Sequence, residues 1–249
     1  MRTVLFLDLD DTIFQTRPKC PGDDVLHPVA HRRDGTPLSF MTPRQRAFLE
    51  MWLRAATVIP TTARNLDAYS RVDLPFEHLA ILDFGGVVLL EDKTLDAAWD
   101  AQIRPRARAF APELRILHAA VERIIARRRL GAYARVIADF DMPLYVVVKH
   151  PDGDCALLAV IHDELRASAD LSRCFVHQND NNLSLVPAFL GKEHAVRHVV
   201  HHRLGPEPVL TIGMGDSLTD AGFLDVCDYS LMPRACQLAR QRLPGCEGA

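Results

Sequence analysis

The sequence lacks an apolar stretch long enough to cross a membrane. Its first apolar run, in MRTVLFLDLDD, meets three carboxylates almost at once. Such a run suits neither the apolar region of a signal peptide nor a membrane span. We therefore expect a cytoplasmic protein with no membrane partner.

Paired metal-binding or disulfide-forming cysteines are also missing. The six cysteines are scattered through the chain without a CxxC pair. This spacing indicates neither a zinc site nor a disulfide framework. We expect reduced thiols, some of them buried as small apolar groups.

The chain has no strong excess of charge of either sign. Its formal net charge of -3 gives no general attraction to nucleic acid or anionic lipid. Residues 101–150 do carry ten Arg or Lys against four Asp or Glu, a local basic excess that could steer an anionic ligand. No regular interleaving of aromatic residues for base stacking accompanies it, so we expect no nucleic-acid partner.

What is present is typical of a globular protein. With 249 residues, 48% of them hydrophobic and 24% charged, the chain is long enough for one large domain or two smaller ones. Short apolar runs typical of buried strands alternate with helical stretches and predict an α/β fold with a doubly wound, largely parallel sheet. These predicted strands are residues 3–7, 56–60, 79–82 and 209–213.

Residues 26–41 have the pattern of a hairpin, with a turn at 33–35. Thr42 and Gln45 then form the pattern of a capping box, and Pro43 suits the first helical position. A helix to about residue 54 is predicted. The sequence does not reveal what the hairpin does; a flap beside a site and a subunit contact are both open.

Residues 90–188 break the alternation and predict an inserted α+β domain. The segments read as helix, strand, strand, twice over. The predicted elements are a helix at 112–129, strands at 133–138 and 144–149, a helix at 155–168 and strands at 174–178 and 183–186. We therefore predict a core built from residues 1–89 and 189–249, with 90–188 inserted as a cap.

Carboxylates cluster where two predicted core strands end. Asp8 and Asp10 follow the first strand, and Asp216 and Asp220 follow the last. Ligands of such sheets bind at the carboxyl ends of the strands. Oxygen-only side chains suit a hard cation such as Mg²⁺, which binds through few carboxylates together with substrate phosphate.

Four segments of the sequence follow one another in the order of the four motifs of one family. They are Asp8-Leu9-Asp10-Asp11-Thr12, Thr62, Lys192 and Gly215-Asp216-Ser217-Leu218-Thr219-Asp220. They resemble the motifs of the haloacid dehalogenase superfamily, which are DxDxT, a Ser/Thr, a Lys and GDxxxD. IPTTAR at 59–64 and GMGDSLTD at 213–220 are similar to sucrose-phosphate and mannosyl-3-phosphoglycerate phosphatases, whose branch carries a large α+β cap. The sequence departs from the pattern at Asp11, where many members have Gly, and at Thr219, where this branch usually has Asn.

The resemblance implies a Mg²⁺-dependent phosphatase acting on a small phosphorylated metabolite, with a sugar phosphate as the first candidate. Asp8 is then the nucleophile that forms an aspartyl-phosphate, and Asp10 the general acid and base. Thr62 and Lys192 would bind the phosphoryl oxygens. The implied metal ligands are Asp8, the Asp10 carbonyl, Asp216 and, directly or through water, Asp220.

Substrate contacts are predicted at further positions of these segments, although a solvated Arg64 and an ordinary turn at the two glycines are equally open. They are Thr12, Ala63, Arg64, Gly85 and Gly86. A phosphomutase of the same superfamily and a catalytically silent binding protein are the alternatives. A dehalogenase is disfavoured, because Asp10 has no evident task in displacing a halide.

Three histidines recur every four residues and would line one face of a helix: His194, His198 and His202. No HExxH motif supports a metal site, so we expect these side chains to be solvated.

Overall fold

The structure is a computed structural model, and it describes residues 1–22, 25–151, 154–179 and 182–242. The chain divides into two compact units, Met1–Trp99 with Gly191–Ala249, and Asp100–Leu190. The boundaries predicted from the sequence lie at 89/90 and 188/189. The assignment of these parts as catalytic core and cap stays a prediction.

The first unit contains most of the secondary structure. Its first segment contains, in chain order, strands β1 (Arg2–Leu7), β2 (Gln15–Thr16), β3 (His27–His31) and β4 (Pro37–Met41), helix α1 (Pro43–Ala55), strand β5 (Thr57–Pro60), helix α2 (Leu66–Tyr69), strands β6 (Ala80–Leu82) and β7 (Val87–Leu89), and the start of helix α3 (Ala97–Arg128). Its second segment, which follows the second unit in the chain, contains helix α5 (Lys192–His202), strand β12 (Val209–Met214), helix α6 (Ala221–Leu224), strand β13 (Tyr229–Leu231) and helix α7 (Gln237–Arg242).

A parallel sheet forms the centre of this unit, in the order β13-β12-β1-β5. Each neighbouring pair of strands is parallel. Val4, Leu5, Phe6 and Leu7 of β1 are fully buried, as expected for a strand that is covered on both faces. The predicted α/β class with a parallel sheet is confirmed.

Strand β6 differs from the prediction of another parallel core strand. It pairs antiparallel with β7, and a single parallel bridge between Thr61 and Ile81 links it to the end of β5. The cause is the turn after β6, which sends the chain straight back instead of into a crossover helix.

The predicted hairpin is confirmed, because β3 pairs antiparallel with β4, and β4 also pairs with β2. The capping box at the start of α1 is confirmed too. The Thr42 hydroxyl accepts from the Gln45 backbone N–H at 3.3 Å, and the Gln45 side chain accepts from the Thr42 N–H at 2.9 Å.

The second unit contains the repeated helix, strand, strand order. Its elements are the remainder of α3, strands β8 (Tyr133–Asp139) and β9 (Met142–Lys149), helix α4 (Cys155–Ser168) and strands β10 (Cys174–Asn179) and β11 (Asn182–Pro187). The four strands form one antiparallel sheet in the order β10-β11-β9-β8. Its apolar core joins α3, α4 and the two central strands, with Leu114, Leu158 and Val146 fully buried.

The predicted start of the long helix at residue 112 was wrong. Helix α3 begins at Ala97 and contains both Pro105 and Pro112. A proline inside a helix costs a hydrogen bond. Buried residues at helical spacing, including Ile103 and Phe110, continue through both prolines, so burial of this face outweighs that cost.

None of the helices in the described part of the chain is long and apolar enough to span a membrane. The five cysteines that the structure describes are free thiols, while Cys246 lies outside the described residues.

Candidate active site

The first and last carboxylate motifs meet at one edge of the parallel sheet. Strands β1 and β12 run side by side with Leu7 opposite Met214, and the Asp8 N–H donates to the Met214 carbonyl at 2.8 Å. On the other side of β1, the Thr61 N–H donates to the Leu7 carbonyl at 2.8 Å. The parallel register therefore brings the residues after β1, β5 and β12 to the same edge.

Asp8 is buried, and both of its carboxylate oxygens accept hydrogen bonds. The Lys192 ammonium donates to Oδ1 at 2.6 Å, and the Thr12 hydroxyl donates to Oδ2 at 2.8 Å. Burial raises the pKa of Asp8 well above its ordinary value, and the Lys192 charge opposes that rise. Lys192 thus favours the ionised carboxylate, which is the form that can act as a nucleophile.

Lys192 lies between two carboxylates, because its ammonium also donates to Asp220 Oδ1 at 2.6 Å. Burial alone would lower the pKa of Lys192, but Asp220 and Asp8 together raise it. Asp220 Oδ2 accepts from the backbone N–H groups of Asp216 and Ser217 at 3.1 and 2.9 Å. Asp220 therefore holds both Lys192 and the loop that carries Asp216.

A magnesium site fits the chemistry of three of these carboxylates. Oxygen atoms of Asp8, Asp216 and Asp220 lie within 4.8 Å of one another. Burial, followed by repulsion from Asp220 and Asp11, raises the pKa of Asp216 to about 7. A divalent cation would offset this concentration of negative charge, and oxygen-only donors are those that Mg²⁺ prefers.

Asp10 directs its side chain to Arg64 instead of into this carboxylate cluster. The guanidinium donates to Asp10 Oδ2 from Nε and to Oδ1 from Nη2, both at 2.7 Å, and Nη1 donates to the Ala68 carbonyl at 3.2 Å. Burial opposes the charge on Arg64, but the Asp10 carboxylate raises its pKa. The geometry makes Arg64 a partner of Asp10. A contact between Arg64 and substrate stays a prediction, and so does the role of the Asp10 carbonyl as a metal ligand.

The remaining predicted positions lie around the same strand ends. Thr62 is buried, and its hydroxyl accepts from the Arg64 N–H at 3.1 Å, while Ala63 between them is partly buried. Thr12 joins two carboxylates, since its hydroxyl also lies 3.2 Å from Asp216 Oδ1. The roles of these three residues toward a substrate stay predictions.

Gly85 and Gly86 are both buried inside the first unit. Gly85 has a φ of +89°, and a Cβ added to it would lie 2.3 Å from the Gly191 carbonyl oxygen. Its lack of a side chain therefore serves internal packing against the start of α5. The structure adds no support for the predicted substrate contact of these glycines.

The two departures from the family pattern have local explanations. Asp11 has a φ of +62°, a left-handed conformation that glycine adopts freely and that aspartate tolerates, and it forms an ion pair with Lys19. The Thr219 hydroxyl lies 2.7 Å from the Ser217 hydroxyl, inside the loop that carries the last motif.

A second buried polar cluster was not predicted from the sequence. Asp96 is fully buried and accepts from the backbone N–H groups of Ala98 and Trp99 at 2.9 and 3.0 Å, and from the Arg203 side chain at 2.5 Å. His198 Nε2 lies 3.0 Å from the same carboxylate. The expectation of a solvated His198 was therefore wrong, because His198 faces Asp96 from the buried side of α5.

No protein-family model matches the chain, and no curated protein sequence matches it either. Solved structures do share its fold. The C-terminal domain of trehalose-6-phosphate phosphatase from C. albicans has a TM-score of 0.57 at 13% identity, covering 90% of this chain and 73% of that one.

Two further solved structures share this fold. Sucrose-phosphatase from Synechocystis sp. PCC6803, solved with sucrose and phosphate, has a TM-score of 0.55 at 17% identity, covering 98% of this chain and 89% of that one. A haloacid dehalogenase-like hydrolase from B. subtilis has a TM-score of 0.51 at 12% identity, covering 98% and 93%. The chain has the fold of the haloacid dehalogenase-like hydrolases, which confirms the resemblance at the level of fold.

Proposed function

We propose that this chain is a Mg²⁺-dependent phosphatase that hydrolyses the phosphate ester of a small metabolite through an aspartyl-phosphate on Asp8. The observation that carries the proposal is the buried contact of Lys192 with both Asp8 and Asp220, with Thr12 on the other oxygen of Asp8. The surrounding geometry holds one carboxylate next to a cation and leaves Asp216 close by for a metal ion.

In the first step an Asp8 oxygen attacks phosphorus, and the bond from phosphorus to the ester oxygen breaks. Lys192 offsets the negative charge that the phosphoryl group brings next to Asp8. Thr62, at the end of β5, would donate to a phosphoryl oxygen from its hydroxyl. These contacts matter most when charge moves onto the phosphoryl oxygens in the transition state.

Asp10 is the proposed proton-transfer group. It would protonate the departing ester oxygen and then take a proton from the water that hydrolyses the aspartyl-phosphate. Its carboxylate is 42% exposed, so substrate and water can reach it. Both of its oxygens accept hydrogen bonds from Arg64, which orients the carboxylate.

Asp8 and Asp216 would hold the metal ion, with Asp220 acting through its contacts to the Asp216 loop. When bound, Mg²⁺ would offset the repulsion between the Asp8 carboxylate and an anionic phosphate ester.

A sugar phosphate is the first substrate candidate. The support is the fold shared with proteins whose names refer to trehalose-6-phosphate and sucrose phosphate. Residues of the predicted cap would then choose the leaving group.

The test is phosphate release from a panel of sugar phosphates, nucleotides and phosphoglycerate esters, with Mg²⁺ and with chelator. Wild type is compared with Asp8→Asn, since an amide oxygen is a poor nucleophile. We expect Mg²⁺-dependent release by wild type and none by the variant, with circular dichroism showing that both are folded. Near-normal turnover by folded Asp8→Asn would refute the mechanism, and release that appears only as transfer in the presence of a sugar bisphosphate would indicate a phosphomutase.

A further inference from the structure

Helix α5 begins with Lys192, and no side-chain hydrogen bond caps its first turn. Its N-cap residue is Gly191, which has no side chain to cap the helix. Tertiary contacts therefore contribute to the location of the Lys192 ammonium between two carboxylates.

The contact at this point is the turn of residues 83–86 between β6 and β7. A Cβ on Gly85 would lie 2.3 Å from the Gly191 carbonyl oxygen and 3.2 Å from the Lys192 nitrogen, so the two backbones touch directly. The same turn reaches the Thr62 segment, because the Asp83 N–H donates to the Arg64 carbonyl at 2.9 Å and the Phe84 N–H to the Thr62 carbonyl at 3.3 Å. One turn thus connects the backbone of Thr62 with that of Lys192.

This turn is held in an unfavourable backbone conformation. Asp83, Phe84 and Gly85 are consecutive residues with φ values of +55°, +54° and +89°. Side-chain-bearing residues avoid this region, and they remain in it only where the surroundings impose it. Something must therefore hold the turn against α5.

Trp99 binds the turn and packs against α5. Its indole Nε1 donates to the Gly85 carbonyl at 2.9 Å, and its ring packs on His198 of α5 with centroids 5.0 Å apart. Asp96 fixes both partners, since it accepts from the Trp99 N–H at 3.0 Å and lies 3.0 Å from His198 Nε2. Trp99 is therefore bound at the same time to the turn and to the helix that carries Lys192.

We propose that Trp99 is a positioning residue that sets the location of Lys192 by holding the 83–86 turn against the Gly191 backbone. Trp99 touches neither Asp8 nor a reacting atom in this role; it acts through Gly85 and Gly191. The inference rests on the proposed function for its meaning in catalysis, but its geometry can be tested without turnover.

The chain offers a matched control, because it contains two tryptophans. Trp52, on α1, has an indole N–H that is buried without a hydrogen-bond partner among the described residues. Trp99→Phe removes the donor to Gly85 and keeps an aromatic ring against His198. Trp52→Phe makes the same chemical change where no such hydrogen bond is lost.

The first readout is the inhibition constant of inorganic phosphate against phosphate release in Mg²⁺. We expect Trp99→Phe to raise it about tenfold or more, as for weakening a hydrogen bond to a charged group. The kcat should fall about 10- to 100-fold, as for a misplaced catalytic contact. A merely unfolded fraction would lower the apparent kcat and leave the inhibition constant unchanged. An unchanged inhibition constant in Trp99→Phe would overturn the proposal.

The second readout needs no turnover and is a double-mutant cycle on the Tm, followed by circular dichroism. The drop in Tm caused by Lys192→Met should be smaller in the Trp99→Phe background than in wild type, because Lys192 is already displaced there. It should be the same in the Trp52→Phe background. Equal drops in all three backgrounds would contradict the positioning role.

The two readouts separate the proposals. If wild type releases no phosphate but the Tm cycle shows coupling only with Trp99, the proposed function fails and the positioning role stands. If wild type turns over and Trp99→Phe behaves like Trp52→Phe in both readouts, the positioning role fails alone. Gly85→Ala, which forces the Gly191 contact apart directly, should reproduce the effect of Trp99→Phe on the inhibition constant, and no effect would again overturn the proposal.

Discussion

Replacing Asp216 with asparagine should make the metal-free protein more stable at alkaline pH. Asp216 is partly buried beside Asp220 and has a pKa of about 7, well above its ordinary 3.8. Between these two values the folded protein binds more protons than the unfolded chain, so stability falls as the pH rises through this window. Above pH 7 the full penalty is present, and it vanishes near pH 4.

The size of the effect follows from the shift in pKa. Raising the pKa from 3.8 to about 7 corresponds to roughly 4 kcal/mol at full strength. Partial solvent exposure of the carboxylate screens this, and we expect about 2 kcal/mol. Asparagine carries no charge, and its side-chain oxygen can still accept the 3.2 Å hydrogen bond from Thr12.

The assay is urea unfolding in EDTA at pH 8, 6.5 and 5, followed by tryptophan fluorescence. Both tryptophans, Trp52 and Trp99, lie in the unit that contains the site, so the signal reports on that unit. Asp216→Asn should exceed wild type in free energy of unfolding at pH 8, and the difference should shrink steadily toward pH 5. Asp225→Asn, which alters an exposed aspartate, is the control and should show no such trend.

Adding Mg²⁺ should reverse the ranking at pH 8. A ligand that binds only the folded protein stabilises it, by about 2.7 kcal/mol when its concentration is a hundred times the Kd, which exceeds the deficit of about 2 kcal/mol. Wild type should gain this stability, whereas Asp216→Asn should gain little of it because the variant lacks one of the proposed metal ligands. The reasoning is refuted if the variant is less stable than wild type in EDTA at pH 8, or if the difference does not depend on pH.

Two further predictions concern partly buried ion pairs. Arg64→Gln should lower kcat about 10- to 100-fold, because Asp10 loses the partner that orients it. Arg33→Gln, which breaks an exposed ion pair, is the control and should leave kcat unchanged. Equal effects of the two substitutions on kcat would contradict the role of Arg64. Asp96→Asn should cost about 2–4 kcal/mol in urea unfolding at pH 7, because Arg203 loses a buried counter-charge. Burial opposes the charge on Asp96, but hydrogen bonds from Arg203 and the Trp99 backbone lower the pKa of Asp96. The stability that the Asp96 carboxylate contributes is therefore present above about pH 4 and lost below that. A cost of Asp96→Asn that already disappears at pH 6 would contradict this pH dependence.

The sequence alone determined the features that depend on near neighbours along the chain. The apolar run before Asp8 predicted a buried strand, and the Thr42–Gln45 pattern predicted a helix start. The helix, strand, strand order of the second unit followed from local periodicity in the same way. These features depend on dihedral preferences and on burial of one face, both of which are written in a short window of sequence.

The tertiary structure decided which side chains became partners. Lys192 lies between Asp8 and Asp220, which are 184 and 28 residues away along the chain, and Arg64 pairs with Asp10 across 54 residues. No periodicity marks such pairs, because they depend on which strand ends and helix starts become neighbours in space.

The buried polar cluster around Asp96 could not be predicted from the sequence for the same reason. The sequence predicted a solvated face for His198, and it gave no signal that Trp99 would hold a turn at Gly85. Burial of a polar side chain depends on a partner from a distant segment to satisfy it, and that partner exists only once the sheet and helices have assembled. The sequence therefore determined the residue types and their order, and the packing of α5 against the 83–86 turn and Trp99 decided their geometry.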